Sequence, residues 1–217
     1  METYLPNHKD IKIIQEEGMI GINTDTMLLG EFLNIYKEDV VLDIGTNTGA
    51  LLLYASLFHP KKLIGLDINE KALEYAKKNM DVNGITNYEL ICANVLTYKS
   101  EEVDVIICNP PYFKTKDDNK SESEALNIAK HESSLTLENL IPALRRNLKN
   151  NGTLFFLFQT ARIQEVFLEL TKNKFRIKEI KFAYDDNKEN SSVFMVRCVK
   201  GGKMGAVVKK PHIIEHK

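Results

Sequence analysis

Hydrophobic positions along this chain follow two rhythms that repeatedly trade places. Compact apolar runs occur at Val40-Val-Leu-Asp-Ile44, Lys62-Leu-Ile-Gly-Leu-Asp67, Tyr88 to Cys92, Val103-Asp-Val-Ile-Ile-Cys108 and Leu154-Phe-Phe-Leu-Phe158, and each predicts a buried strand. Between them, apolar residues recur with helical spacing. One such stretch runs from Ala50 to Phe58, and another places Ala72, Leu73, Ala76 and Met80 on one face, with Asn69 as cap and Gly84 as stop. A third helix is expected from Leu137 to Leu148, ending at Asn150-Asn-Gly152, and a fourth carries Ile163, Val166, Phe167 and Leu170. Two later strands, near Ile177 to Tyr184 and Val193 to Val199, are separated by polar Asp185 to Ser191 and suit an antiparallel pair. Upstream, Ile11–Ile14 and Met19–Ile22 flank a hairpin turn expected at Gly18, and Asn23-Thr-Asp-Thr26 offers N-cap side chains to a helix bearing Met27, Leu28, Phe32 and Ile35. Lys114 to Ser123 is polar throughout and predicts a mobile loop.

Short apolar strands alternating with amphipathic helices specify an α/β fold, a mostly parallel sheet covered on both faces. Residues 40–217 are expected to form the main domain, and residues 1–39 a hairpin-and-helix extension of the same domain. No internal repeat is present.

Composition adds boundaries rather than a function. With 217 residues, 43% of them hydrophobic and 27% charged, the chain can bury a core without a disulfide or metal staple. Its three cysteines are odd in number and far apart, and Cys92 and Cys108 lie in apolar runs, so they read as buried thiols in a reducing compartment. Met1 to Asp10 lacks the apolar core of a signal peptide, and no run approaches the ~20 residues of a membrane helix, so a cytoplasmic location is expected. His8, His59, His212 and His216 show no metal-ligand spacing, and nothing in the sequence predicts an obligate protein partner. A net charge of -1 does not exclude a nucleic-acid partner, because only local clustering serves phosphate contact. The tail is locally basic, carrying Arg197, Lys200, Lys203, Lys209, Lys210 and Lys217 against Glu215, and Arg145, Arg146 and Lys149 form a second candidate RNA-backbone contact. A solvated end is the bland reading of such a tail.

The chemistry lies at two loops. Ligands of parallel sheets bind beyond the carboxyl ends of the strands. Asp43-Ile-Gly-Thr-Asn-Thr-Gly49 ends the first main strand and opens a helix, where Gly45 and Gly49 let backbone approach a ligand closely, with Thr46 and Asn47 between them. Asp67 ends the next strand, 18 residues beyond Gly49, where a carboxylate can accept both hydroxyls of a ribose; Ile68 follows it. A glycine turn capping a helix is the alternative reading of the first loop. A dinucleotide fold would show G-x-G-x-x-G, but Asn47 occupies the second glycine position. S-adenosylmethionine, which has a ribose and an amino-acid end but no pyrophosphate, suits the pattern better.

Asn109-Pro-Pro-Tyr112 follows the strand Val103–Cys108 directly and so reaches the same edge. An adenine amine is a poor nucleophile because its lone pair is delocalised into the ring. The Asn109 side-chain oxygen and the Pro110 carbonyl can accept its two hydrogens, favouring a pyramidal nitrogen and bearing the charge that grows during attack on a methyl group. Pro110 and Pro111 supply rigidity, since each fixes φ and lacks an N–H. Tyr112 offers a flat face to an extruded base, and Phe113 can stack beside it or pack beneath the site. A strand-ending proline turn is the alternative reading.

Together, Asp43 to Gly49, Asp67 and Asn109 to Tyr112 resemble a class I methyltransferase of the amino-methylating group. Three further segments narrow the resemblance: Asn23-Thr-Asp-Thr-Met-Leu-Leu29, Ala129-Lys-His-Glu132, and Lys200-Gly-Gly-Lys-Met-Gly205 with Pro211. The set resembles the bacterial valine-tRNA adenine-N6 methyltransferases over nearly the whole chain. That resemblance implies a Rossmann-like, seven-stranded sheet with its last strand antiparallel, S-adenosylmethionine as donor, tRNA as substrate, and the Asn109 tetrapeptide around the target base. It also implies a cofactor-adenine contact at Asn94 and Val95, although the family's usual acid stands here as Asn94. Lys130 replaces the family's usual arginine before the His-Glu pair, and Lys130 and His131 would contact phosphate or shape the loop near the base, a solvated approach to a helix being the alternative. Thr24 and Asp25 either close over the methionine end of the cofactor or cap a helix.

Rival readings share the same acceptors. A protein glutamine-N5 methyltransferase would need a separate substrate domain, for which the 39 residues before Val40 leave no room. A DNA-adenine enzyme would need a duplex reader, and guanine-N2 enzymes tend to carry Phe at the position of Tyr112. A non-catalytic RNA-binding module on the same fold is the rival of a different class. The intact Asn109-Pro-Pro-Tyr112 with Asp67 favours the enzyme.

Overall fold

The computed structural model describes residues 2–15, 22–111 and 135–215. Runs rich in branched aliphatic residues become the interior strands. β3 (Val40–Ile44) lies between β4 (Lys62–Asp67) and β6 (Val103–Cys108), parallel to both. β5 (Tyr88–Cys92) extends the sheet beyond β4, and β7 (Leu148–Gln159) beyond β6, again in parallel. β9 (Val193–Lys200) then inserts antiparallel between β7 and β8 (Phe175–Asp185). These seven strands are the expected α/β sheet, with the last of them reversed.

The strand count is larger than the seven expected. Two short tail strands, β10 (Val207–Val208) and β11 (His212–Ile214), run parallel to β8 along its outer edge, giving among the described residues a nine-stranded sheet in the order β10-β8-β9-β7-β6-β3-β4-β5 with β11 also on β8. The chain reaches that edge by crossing over the start of β8 through Gly201, Gly202 and Gly205, all at positive φ. Their freedom from a Cβ is what lets Lys200-Gly-Gly-Lys-Met-Gly205 reverse without strain.

Two layers of helices cover the sheet. On one face, α1 (Thr24–Phe32), α2 (Ala50–Ser56) and α3 (Glu70–Val82) enclose a core that includes Leu29, Leu52, Leu53, Met80, Ile107 and Phe155. On the other, α4 (Leu137–Asn147) and α5 (Ile163–Lys172) bury Leu140, Leu144, Val166 and Leu170 against Ile106, Phe156 and Phe158. Strand residues thus alternate between two apolar faces, the pattern of a doubly covered sheet. Asn23 caps α1 as expected, its Oδ1 accepting from the Thr26 N–H at 2.9 Å. Gly30 lets α1 lie flush on Tyr54, because a Cβ there would stand 2.3 Å from the ring.

Three local differences have physical causes. β1 (Glu2–Leu5) pairs with β2 (His8–Ile14) around Pro6-Asn7, so Ile11–Ile14 belongs to an earlier hairpin than the one expected at Gly18. Asn7 takes φ 63°, which an asparagine tolerates in a tight turn; Gly18 and Met19 themselves lie outside the described residues. Asn150-Asn-Gly152 does not end α4. The helix passes directly into β7 at Leu148, and these residues form an irregularity within β7, with Asn151 at φ 63°. Cys92 is exposed, unlike Cys108 and Cys198, because β5 is the last strand at its end of the sheet.

Candidate functional site

Register fixes the site. Ile44 pairs with Leu66 on one side and Cys108 on the other, and Asp67 pairs with Cys92. The next step along β3 and β6 therefore brings Asn109, Gly45, Asp67 and Cys92 into one row at the carboxyl edge. Adjacent members of such a row are separated by a strand spacing of about 4.8 Å.

The glycine loop is bent by three left-handed residues, Gly45 (φ 74°), Asn47 (φ 49°) and Gly49 (φ 82°). Asn47, which broke the dinucleotide pattern, adopts the conformation a glycine would take. The Gly45 and Thr46 N–H groups donate to the Leu66 carbonyl at 2.8 and 3.0 Å, and the Gly49 N–H donates to the Thr46 carbonyl at 2.8 Å. A Cβ on Gly49 would press Ala76 Cβ at 3.2 Å and Met80 Cε at 3.3 Å, so this glycine seats the loop on α3. A Cβ on Gly45 would meet nothing within 4 Å among the described residues.

Asp67 ties the loop to the next strand. Its Oδ2 accepts from the Asn47 N–H at 2.8 Å and its Oδ1 from the Asn69 N–H at 2.9 Å. Each carboxylate oxygen keeps further acceptor capacity toward solvent. Ile68, 43% exposed, gives an apolar surface beside it. Below the loop, Asp43 is fully buried, and burial pushes its carboxyl up to about 7; the nearby Thr46 hydroxyl pulls the other way and the Asp67 charge raises it further. Neither Asp43 oxygen, nor the Thr46 hydroxyl, closes a well-formed hydrogen bond among the described residues.

Asn94 and Val95 follow β5 in a tight turn. The Asn94 side-chain oxygen, expected as an acceptor for a ligand, already accepts from the Leu96 N–H at 2.9 Å, which uses one of its two lone pairs. From α4, Arg146 Nη2 donates to the carbonyls of Val95, Leu96 and Tyr98 at 3.1, 3.0 and 2.8 Å. Buried Asn147 holds the Ser100 N–H at 2.7 Å. The turn is therefore pinned from α4.

Asn109 is half-buried at the end of β6, Pro110 is buried and Pro111 is exposed. No side-chain hydrogen bond to Asn109 is formed among the described residues. Tyr112, Phe113, Lys130, His131 and the polar segment Lys114 to Ser123 lie outside them.

Several cations suggested for RNA are instead committed within the protein. Arg146 grips the three carbonyls just described, and Lys149 pairs with Asp104 at 2.7 Å. Arg197 pairs with Glu179 at 2.8 Å, Lys209 reaches Glu179 at 3.4 Å, and nearly buried Lys200 donates to the Leu148 carbonyl. A count of charges along the chain cannot reveal partners supplied by distant segments.

Sequence reasoning missed Asn79. It is fully buried in α3, accepts from the Ile14 N–H at 2.6 Å, and donates to the carbonyls of Ile14 at 3.1 Å and Thr48 at 2.9 Å. It thereby joins the end of β2 to the glycine loop. An amide beside Ala76 and Met80 in an otherwise apolar helical stripe was the available signal. Among the described residues no group of His, Cys, Asp and Glu is placed to hold a metal, and no helix is long and apolar enough to cross a membrane.

Comparison with known proteins follows the same lines. A family described as "Methyltransferase domain" matches residues 35–206. A tRNA1(Val) (adenine(37)-N6)-methyltransferase of Pseudoalteromonas translucida is 32% identical over 164 residues, which cover 75% of this chain and 69% of that protein. A protein of the same name from Vibrio campbellii is 33% identical over 69% of this chain and 63% of its own length. In three dimensions the chain is similar to the ribosomal protein L11 methylase of Lactobacillus delbrueckii subsp. bulgaricus, with a TM-score of 0.62 at 20% identity, covering 84% of this chain and 81% of that one.

Proposed function

The chain belongs to the methyltransferase-domain family and, within it, to the tRNA1(Val) (adenine(37)-N6)-methyltransferases, and from that premise we propose that it methylates N6 of adenine 37, beside the anticodon of a valine tRNA. S-adenosylmethionine is the donor and supplies an electrophilic methyl group on a sulfonium centre. The observation that supports the reading best is the row at the carboxyl edge, in which Asn109 stands one strand from Gly45 and two from Asp67.

The residues present fit this cofactor. The remaining acceptor capacity of Asp67 would hold the ribose hydroxyls of the cofactor, and Gly45 would let its amino-acid end approach the loop backbone. Thr46, Asn47 and Gly49 would complete that wall, and Ile68, Asn94 and Val95 would hold the cofactor's adenine. Buried Asp43 lies below the same loop, and a positively charged donor bound there would favour its ionised form.

On the other side of the row, Asn109 and Pro110 act on the target amine. The Asn109 Oδ1 and the Pro110 carbonyl accept its two hydrogens and so hold the nitrogen lone pair toward the donor. As the nitrogen gains charge both bonds strengthen, and the Pro110 carbonyl, held in a turn of two prolines, needs little reorganisation to accept it. Pro111 stiffens the turn, Tyr112 and Phe113 stack the extruded base, and Lys130 and His131 contact the RNA backbone. A tRNA substrate is found in the cytoplasm.

The test is mass spectrometry of nucleosides from unmodified valine tRNA incubated with the protein and S-adenosylmethionine. N6-methyladenosine at the anticodon-adjacent adenine is the expected product. A methylated guanine, or a labelled protein glutamine in place of RNA, would overturn the assignment.

A further inference from the structure

The row at the carboxyl edge continues past Asn109, away from the glycine loop, into a second concavity. This groove of about 410 Å³ is lined by Thr160, Phe182, Tyr184, Glu189, Asn190 and Ser191. Its place follows from register. Cys108 pairs with Phe156, so Asn109 stands level with Leu157, and Thr160 lies three residues further along the same edge. With a rise of about 3.3 Å per residue and about 4.8 Å between strands, the near wall at Thr160 lies roughly 11 Å from Asn109, and Tyr184, three strands over on β8, roughly 17 Å from it.

Its walls are held in place. Phe182 and Tyr184 alternate onto one face of β8, and Phe182 packs against Phe194 at 6.3 Å between centroids. The Ser191 hydroxyl stands 3.0 Å from Thr160 Oγ1, within 2.8 Å of the Ala183 carbonyl and 2.9 Å of the Val193 carbonyl. The Thr160 N–H donates to the Ser192 carbonyl at 3.0 Å. The turn after β7 and the loop between β8 and β9 are thus bonded to one another, and the groove between them does not depend on a ligand to form it.

The lining combines aromatic rings with hydroxyls, an amide and one acid. Glu189 opposes a phosphate there, whereas a neutral base can stack on Tyr184 and present its polar edge to Asn190 and Glu189. The volume falls toward the small end of ordinary small-molecule sites, ~300–1,000 Å³, which suits one base with its sugar. Resting on the reading that the substrate is a tRNA loop, we propose that this groove holds the base of an unpaired nucleotide next to the methylated adenine in the same strand. The target and its neighbour would then be splayed into two sites on one sheet edge, which is how single-stranded RNA is commonly read.

The experiment compares wild type, Tyr184→Ala and Tyr184→Phe on a valine-tRNA anticodon stem-loop, with intact bases and with an abasic nucleotide on either side of the target. A stacked base leads to about a tenfold rise in KM for RNA in Tyr184→Ala, with KM for S-adenosylmethionine and the thermal midpoint unchanged, and recovery in Tyr184→Phe. One of the two abasic RNAs costs wild type a similar factor but costs Tyr184→Ala nothing more. Asn190→Ala, at an exposed position, is expected to weaken the same RNA without changing the fold. Equal KM values for wild type and Tyr184→Ala, or penalties from abasic site and mutation that simply multiply, would overturn the groove. A wild-type protein that leaves tRNA unmethylated would overturn the tRNA reading with it, whereas methylation with an indifferent Tyr184→Ala overturns the groove alone.

Discussion

Replacing Asn79 with leucine, nearly its isostere, should unsettle the protein far more than a surface amide would. The wild-type side chain satisfies three backbone groups at once: the Ile14 N–H, the Ile14 carbonyl and the Thr48 carbonyl. Leucine fills the volume but bonds to none of them. A buried polar group left without a partner costs about 1–3 kcal/mol. Thr48 is only 3% exposed and its carbonyl would incur the upper part of that range, while half-buried Ile14 can recover part of its loss from water. The sum is about 3–5 kcal/mol. For a chain of this size each kcal/mol lowers the melting midpoint by about 2–4 °C, so a drop of roughly 10 °C is expected by circular dichroism. Urea unfolding should show a lower midpoint at an unchanged slope, since the exposed surface is the same. Because Thr48 lies in the glycine loop, affinity for S-adenosylmethionine in calorimetry should fall as well. A melting midpoint within about 2 °C of wild type would mean that Ile14 and Thr48 find other partners, and the view of Asn79 as the tie between β2 and the loop would be wrong.

Three further outcomes follow. Arg146→Ala frees the turn carrying Asn94 and Val95 and should weaken cofactor binding about five- to tenfold, worth roughly 1–1.4 kcal/mol of charge-assisted bonding at an exposed site, without altering the salt dependence of tRNA binding; a change in salt slope with unchanged cofactor affinity would return Arg146 to the RNA. Asn109→Ala should lower kcat about 10²–10³-fold, the usual loss for a single group that stabilises developing charge, with cofactor affinity nearly unchanged, and turnover near wild type would remove Asn109 from the chemistry. Asp43, raised to about 7 in the fold from 3.8, favours its protonated form there; its contribution to apo stability is fully present below pH ~4 and is lost as pH rises through about 7. Asp43→Asn stays neutral, so its melting midpoint relative to wild type should climb between pH 5 and 8; a constant difference across that range would show that Asp43 is not titrating as its burial implies.

The interior of the fold was legible because its strands are bounded apolar runs that can be nothing else. β3, β4, β6 and the core of β7 stand where Val40–Ile44, Lys62–Asp67, Val103–Cys108 and Leu154–Phe158 put them. Once their order is known, the edge row of Asn109, Gly45 and Asp67 follows without further assumption. The rest depended on contacts between distant segments. β10 and β11 have two and three residues, too few for a periodic signal, and exist only because β8 offers them an edge. Asn150-Asn-Gly152 has turn chemistry, yet pairing with β6 absorbs it into β7. Cys92 sits in an apolar run, but only topology reveals that its strand is the last in the sheet. Arg146 shows the same limit most clearly: its three carbonyl partners lie about fifty residues upstream, and no local pattern announces them.

The tail strands also bear on handling the protein. β8 has 11 residues, and without its cover it would present a long, unsatisfied backbone ladder rich in isoleucine and aromatic residues to any passing chain. The replacement border is short, and it is interrupted by Lys209-Lys210-Pro211, whose charges and missing N–H discourage a stranger from annealing there. Affinity tags or fusions spliced near residue 205 would compete for that seam, and truncated forms should precipitate or self-associate before they lose their central sheet.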